Sequence, residues 1–325
     1  MVRVALALLL VAWLGCPEPA PAQQLIRIGH SGQPGSLLDL VAAEYARRVN
    51  DQLKGKVEVR VFPASELGTD EQMINGVKLG VPEIFISSAV MSTVEPKLAV
   101  FELPYLIVSR SHLRRVSESA EVRRMLVGAL PAQGMRVLAF WESGFRHVTN
   151  NVRAVVRPED LQGVRLRVPG GVWRTKMFSR YGATPSALPF AELHAALRSG
   201  AIDGQENPLA EIHAARLHEV QRHLSLTGHV YSPAYVVVGE TFWQKLPAEH
   251  REVLERLAVE LGDVARTAGT RLEGELLAKM TADGKMKANE VDKEAFIRAS
   301  APIHAEFVRE VPEAALVLKL IESLR

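Results

Sequence analysis

From Leu25 onward, short β-branched runs alternate with longer stretches of helical periodicity, and that alternation restricts the chain to an α/β architecture. Leu25 to Gly29 reads as a strand, Ser36 to Gln52 as an amphipathic helix, and Val57 to Phe62 as a strand stopped by Pro63. Thr69 is placed to cap a helix that runs to Leu79, with Gln72 three residues on for a capping box and Gly80 to end it. Ile84 to Ile86 follows as a buried strand. A second set of units begins near Gly144, with strands at His147 to Asn150 and Arg165 to Val168, then helices at Val172 to Tyr181 and Phe190 to Arg198. Two lobes are expected, each with a central β-sheet: 23–145 plus about 233–272, and 146–232 plus about 273–325.

Between Ala248 and Ala282 the apolar residues Val253, Leu254, Leu257, Leu261, Val264 and Ala265 recur at spacings of three and four, which marks one helical stripe. A single helix of that length exceeds what one compact lobe holds, so it is expected to span both.

The amino terminus speaks to compartment. Arg3 precedes an apolar run from Val4 to Leu14, too short to cross a bilayer but of the length of a secretory signal. Ala20-Pro21-Ala22 then offers small residues for cleavage, so residues 1–22 read as a signal peptide, Gln23 as the mature start, and secretion as the outcome. The only cysteine, Cys16, falls inside the removed segment. A rival reading makes Cys16 a lipidated first residue; Trp13 fits that pattern poorly. Without Cys16 the mature chain has no disulfide, thiol nucleophile or cysteine metal site.

With 39 Lys+Arg against 37 Asp+Glu, the net charge is +2 and no basic run forms, which argues against a nucleic-acid partner. Gly29, Gly32 and Gly35 follow a strand, but their spacing does not match a dinucleotide loop; a tight turn is the simpler reading. Neither Ser31 nor Ser143 sits in a complete Gly-x-Ser-x-Gly elbow. His213, His218 and His223 suggest a metal cluster on a helix, yet steps of five residues turn about 140° each and cannot share a face, so a solvated helix face is expected and no metal or other cofactor.

Arg165 and Arg167 alternate with Val164, Leu166 and Val168, so both guanidinium groups point away from the aliphatic face. Pro169-Gly170-Gly171 ends that strand at its carboxyl end, where open α/β sheets bind ligands. Arg146 sits at the start of the second lobe. Asp203-Gly204-Gln205-Glu206-Asn207-Pro208 crowds polar side chains after a helix and reads as a capping turn, with Gly204 allowing a left-handed residue. Glu206 or Glu142 could serve a secreted hydrolase or lyase as general base, but no nucleophile or metal set accompanies them.

Several strings, in order, make the chain resemble the solute-binding proteins of tripartite ATP-independent periplasmic (TRAP) transporters, of the DctP type. They are Val61-Phe62-Pro63 with Glu66-Leu67-Gly68, Leu103-Pro104-Tyr105, Leu161 through Val168, Gly182-Ala183-Thr184-Pro185, Ala196 through Gly200, and Asp203 through Pro208. The resemblance implies a two-lobed, periplasmic-binding-protein-like α/β fold with a hinge. It implies no catalysis, and capture of a small organic acid for the small and large subunits of a membrane permease. A receptor that presents its ligand to a sensor kinase is the alternative. The resemblance also implies that Arg167 takes the ligand carboxylate, with Arg146 and Asn207 as further ligand contacts. Specificity is then expected from Gln33, Glu66, Trp173, Arg174 and Phe190. None of Arg167, Arg146 and Asn207 is expected to be needed for folding.

Overall fold

The computed structural model describes residues 23–325; the expected signal segment and Cys16 lie outside the described residues. The chain opens with β1 (Gln24–Gly29), α1 (Leu37–Gln52), β2 (Val57–Phe62), α2 (Asp70–Leu79) and β3 (Ile84–Ser87). Helices α3 (Arg110–Glu118) and α4 (Ala120–Val127) lead into the long strand β4 (Met135–Asn150). The middle of the chain forms β5 (Arg165–Val168), α5 (Val172–Arg180), β6 (Thr184–Ala187), α6 (Phe190–Ser199), β7 (Gly204–Pro208) and α7 (Leu209–Ala214). A second long strand, β8 (His223–Gly239), precedes α8 (Glu240–Lys245), α9 (Ala248–Thr281), β9 (Lys287–Asn289), α10 (Lys293–Glu310) and α11 (Ala315–Ser323).

Local signals act as the sequence predicts in the first units. The Ser36 side chain caps α1 by accepting from the Asp39 amide, and α1 buries Leu38, Val41, Ala42, Tyr45 and Val49 on one face. Thr69 and Gln72 form the capping box of α2, and Gly80 ends it in the left-handed region at φ 92°.

The sheet order is β2-β1-β3-β8-β4-β7-β5-β6, with β9 on β8. The sheets expected in the two lobes are therefore one continuous sheet. β4 and β8 pair antiparallel along nearly their whole length; β3 joins one end of β8, and β7 joins the other end of β4. Only His147 to Asn150 of β4 was legible as strand, because Glu142-Ser143-Gly144 interrupts the hydrophobic run like a loop. A register shift between Glu142 and Gly144, where Gly144 has φ 119°, carries the strand through that interruption.

Alternation along the strands builds a core on each face. Phe85, Val137, Phe140 and Val237 join Leu166, Val168 and Phe178 on one side. Ile84, Ile86, Leu138, Trp141, Val236 and Val238 join the buried faces of α1 and α9 on the other.

Helix α9 runs unbroken for 34 residues, about 50 Å at 1.5 Å per residue. It packs on α1, β4 and α7, so it touches both lobes as its stripe implied. Trp141 Nε1 donates to the Ala258 carbonyl at 2.7 Å and the Tyr45 hydroxyl to that of Leu254 at 2.9 Å. Gly262 and Gly269, two turns apart, face β4: a Cβ on Gly262 would lie 3.3 Å from the Phe140 carbonyl oxygen, and one on Gly269 would meet the Glu142 carboxyl. At the carboxyl terminus α10 packs on α5 and α11 on α4.

Two further expectations change. Residues 204–208 are not a capping turn but β7, paired with β4 and parallel to β5. The left-handed cap of α6 is Gly200 at φ 71°, while Gly204 is needed because a Cβ there would strike the backbone of Thr149 in β4. The three histidines also do not share a helix. His213 lies at the end of α7, His218 in a single 3₁₀ turn and His223 at the start of β8. His213 and His218 stack with ring centroids 5.2 Å apart, and no group of three metal-ligating side chains occurs among the described residues.

Candidate functional site

The parallel strands β1, β2 and β3 of one lobe and β5 and β6 of the other point their carboxyl ends at the same space, as in ligand-binding open α/β sheets. The connections after β1 bring Ser31 and Gly32 to a cavity there, α2 begins at it with Asp70, and Ser88 and Ala89 follow β3. From the other lobe come Arg167 and Pro169 at the end of β5, Phe190 at the start of α6, Asn207 on β7 and Glu211 on α7. Arg146, on the crossing strand β4, completes the wall.

Arg165 and Arg167 stand two residues apart on one strand with opposite fates. Arg165 is exposed and forks onto Asp203 at 2.6 Å. Arg167 is 3% exposed, its Nε donates to the Leu188 carbonyl at 2.8 Å, and no carboxylate among the described residues lies within ion-pair distance of it. Burial pulls its guanidinium down to about 10, against the attraction of Glu206 and Asp70. It stays charged near neutrality and lacks a partner in a mostly closed space, which is the condition of a cation waiting for an anion. The Phe190 ring lies 5.9 Å from the guanidinium carbon.

Arg146 lines the cavity but is already engaged. Its Nε meets Glu206 Oε2 at 2.5 Å, and its Nη2 donates to Glu206 Oε1 and Asn207 Oδ1, each at 2.9 Å. Arg174 reaches Glu206 at 3.0 Å and Ser232 at 3.0 Å, and His229 Nε2 lies 3.0 Å from the same carboxylate. Burial works against the Glu206 charge, but Arg146 and Arg174 prevail and hold its carboxyl well below the usual range. Glu206 is thus a structural anion that orients two arginines; it offers no free base. Asn207 is fixed between Arg146, from which it accepts, and Gln205, to whose Oε1 it donates at 2.6 Å; Gln205 in turn donates to the Thr149 hydroxyl at 2.9 Å.

The remaining candidates separate. Phe190 faces the cavity. Arg174 stands behind it on Glu206, as above. Trp173 is buried edge-on against Phe307 at 5.0 Å, with the Lys176 ammonium 4.6 Å from its ring, so its role is packing. Glu66 is exposed in the loop before α2. Gln33 lines a separate surface hollow with His194 and Arg198.

Sequence reasoning missed Asp70 and Glu211. Burial pushes Asp70 up to about 6, against Ser31 and Arg167, and Glu211 up to about 7, against Arg146 and Ser36. Asp70 could have been found by reading the segment beyond the carboxyl end of each predicted strand. Glu211 could not, because α7 became visible only once β7 was a strand.

Residues 28–310 match the model of bacterial extracellular solute-binding protein family 7, DctP. The chain is 30% identical to the 2,3-diketo-L-gulonate-binding periplasmic protein YiaO of Escherichia coli K12, covering 94% of this chain and 93% of that protein. A TRAP periplasmic solute-binding protein from Polaromonas, solved with D-erythronate, superposes with TM-score 0.88 at 29% identity, covering 92% of this chain and 98% of the other. One from Sulfurospirillum deleyianum, solved with succinate, does so with TM-score 0.88 at 29% identity over 94% of this chain and all of the other. These likenesses span nearly the whole described chain, and the two-lobed sheet with its interlobe cavity accords with them. The chain belongs to the DctP family of TRAP solute-binding proteins, receptors that bind small organic acids.

Proposed function

We propose that this chain captures a small organic acid anion in the periplasm by taking its carboxylate on Arg167, and delivers it to the small and large subunits of a TRAP-type permease. The observation that carries this reading is the buried Arg167, unpaired at the mouth of both lobes while every neighbouring arginine is matched. A planar guanidinium takes a carboxylate bidentately and keeps its charge in a partly desolvated cleft. Arg146 and Arg174, clamped on Glu206, hold the wall from which Asn207 presents its side chain; Asn207 contributes neutral hydrogen bonds beside the carboxylate.

Closure depends on the same parts. β4, β8, α9 and the α10–α11 segment, in which α10 packs on α5 and α11 on α4, are common to both lobes, so bending is confined to them. Ligand favours the closed form only through contacts made with both lobes at once, and the cavity draws its lining from both. The closed shape is what the permease would read. A thermal-shift screen against organic acids tests the reading, since a ligand that binds only the folded protein raises its melting temperature. No acid stabilising the wild type, or equal stabilisation of Arg167→Ala, overturns it.

A further inference from the structure

The cavity holds more than a receptor for one carboxylate. Glu211 reaches it from α7 with 6% of its surface exposed, and its Oε2 has no hydrogen-bond partner. Its Oε1 lies 3.4 Å from the point where a Cβ on Gly32 would sit, and Ser36 Oγ lies 2.6 Å from that point. A Cβ there would collide with the Ser36 hydroxyl that caps α1, while Glu211 stands at ordinary contact distance from the same backbone. A buried carboxyl oxygen without a donor is costly, and in a binding cavity the missing donor belongs to the ligand. Asp70 lines the same cavity from the other lobe.

Charges decide what that donor can be. Of the arginines at the cavity, Arg146 is held by Glu206, and Arg174 behind it likewise. Arg167 is the one uncommitted cation among the described residues that line the cavity. A second ligand carboxylate would find no further free cation and would face Glu211 or Asp70, a like-charge contact. Hydroxyl groups suit the same place, since each donates to a carboxyl oxygen. Solved relatives hold both kinds of ligand, D-erythronate in one and succinate in another, so the fold accommodates either and this chain's own side chains make the choice.

We infer that Glu211 is a specificity-determining residue: its free oxygen accepts from a hydroxyl remote from the carboxylate bound by Arg167, and its charge refuses a second carboxylate there. The chain then selects polyhydroxylated monocarboxylates, of the aldonate type, over dicarboxylates. The inference rests on Arg167 being the carboxylate anchor, and its test separates the two.

Calorimetric titration at about pH 8, where both cavity carboxyls are mostly ionised, compares D-erythronate and D-galactonate with succinate and butyrate. The wild type is expected to bind at least one aldonate about tenfold or more tighter than succinate and butyrate, because a site built for hydroxyl donors rejects analogues that lack them. Glu211→Gln removes the charge at nearly constant shape and is expected to shrink the aldonate-to-succinate ratio about tenfold. Succinate binding as tightly as the aldonates in the wild type, lost in Arg167→Ala, overturns the selectivity and leaves the anchor standing. An unchanged ratio in Glu211→Gln overturns the role of Glu211. Aldonate binding that survives Arg167→Ala removes the anchor and this inference with it, and so does a wild type that binds none of the four. If Glu211→Gln melts early, the wild-type ratio and Glu211→Asp, which keeps the charge and should keep the preference, read the same point.

Discussion

The Arg146 guanidinium and the Glu206 carboxylate meet at 2.5 Å with 3% and none of their side chains exposed. The second of the two arginines that family resemblance assigns to the ligand is therefore one half of a buried ion pair, and its first duty is to keep Glu206 neutralised. That alters what its removal does. Arg167 has no such partner among the described residues, so its removal orphans no carboxylate.

Arg146→Ala leaves Glu206 buried with Arg174 and His229 as its remaining partners. Breaking a buried pair costs about 3–5 kcal/mol, and the surviving partners place this case near the lower end. A urea titration should show the midpoint falling with little change in slope. A variant as stable as the wild type would mean that Arg174 alone balances Glu206.

For Arg167 the order reverses. Arg167→Ala should leave the melting temperature within a few degrees, because the deleted charge had no ion-pair partner to orphan. Affinity for the cognate acid should fall by about 2–5 kcal/mol, the range for truncating one side of a buried charge pair. Arg167→Lys should lose much of that already, since a point charge replaces a fork. Titration calorimetry and melting on the same samples separate the two effects.

Glu102 gives the pH test. It is 4% exposed, and burial pushes its carboxyl up to about 7, against the pull of Arg174 and Ser92. Because the folded protein holds this proton more tightly than the unfolded chain, its favourable contribution is complete below about pH 4.5 and is lost as pH rises through about 7. Glu102→Gln removes that dependence. The variant should therefore gain stability relative to wild type between pH 5 and 8, by at most about 3 kcal/mol. Parallel pH series of melting curves would expose the opposite slope, which would require a Glu102 that is ionised when folded.

Two glycines of α9 should respond in opposite senses. At Gly274 no heavy atom lies within 4 Å of the place a Cβ would take, so Gly274→Ala should stabilise by about 0.4–1 kcal/mol. Gly269→Ala drives a methyl group into the Glu142 carboxyl, which Arg110 already holds at 2.8 Å, and should destabilise by about 1–3 kcal/mol. Denaturation of both variants checks the close approach of helix and crossing strand.

Local physics made much of this protein legible from its residues. The caps of α1 and α2, the stop at Gly80, the short parallel strands β1, β2, β3 and β5, and the length of α9 all arise from periodicity and capping, which act within a few residues. The position of Arg167 was legible too, because the strand pattern and Pro169-Gly170-Gly171 set it at the carboxyl end of β5; its burial, beside an exposed Arg165, was not. Tertiary structure decided the rest, since its causes lie far apart in the chain. β4 continues through Glu142-Ser143-Gly144 only because β8 pairs with it, and residues 204–208 become a strand only because β4 and β5 flank them. Whether an arginine is free or committed depends on which carboxylate the fold brings beside it: Asp203 to Arg165, Glu206 to Arg146 and Arg174, and none to Arg167. No spacing in the sequence records that distribution, because it is set by the packing of segments 32 to 60 residues apart.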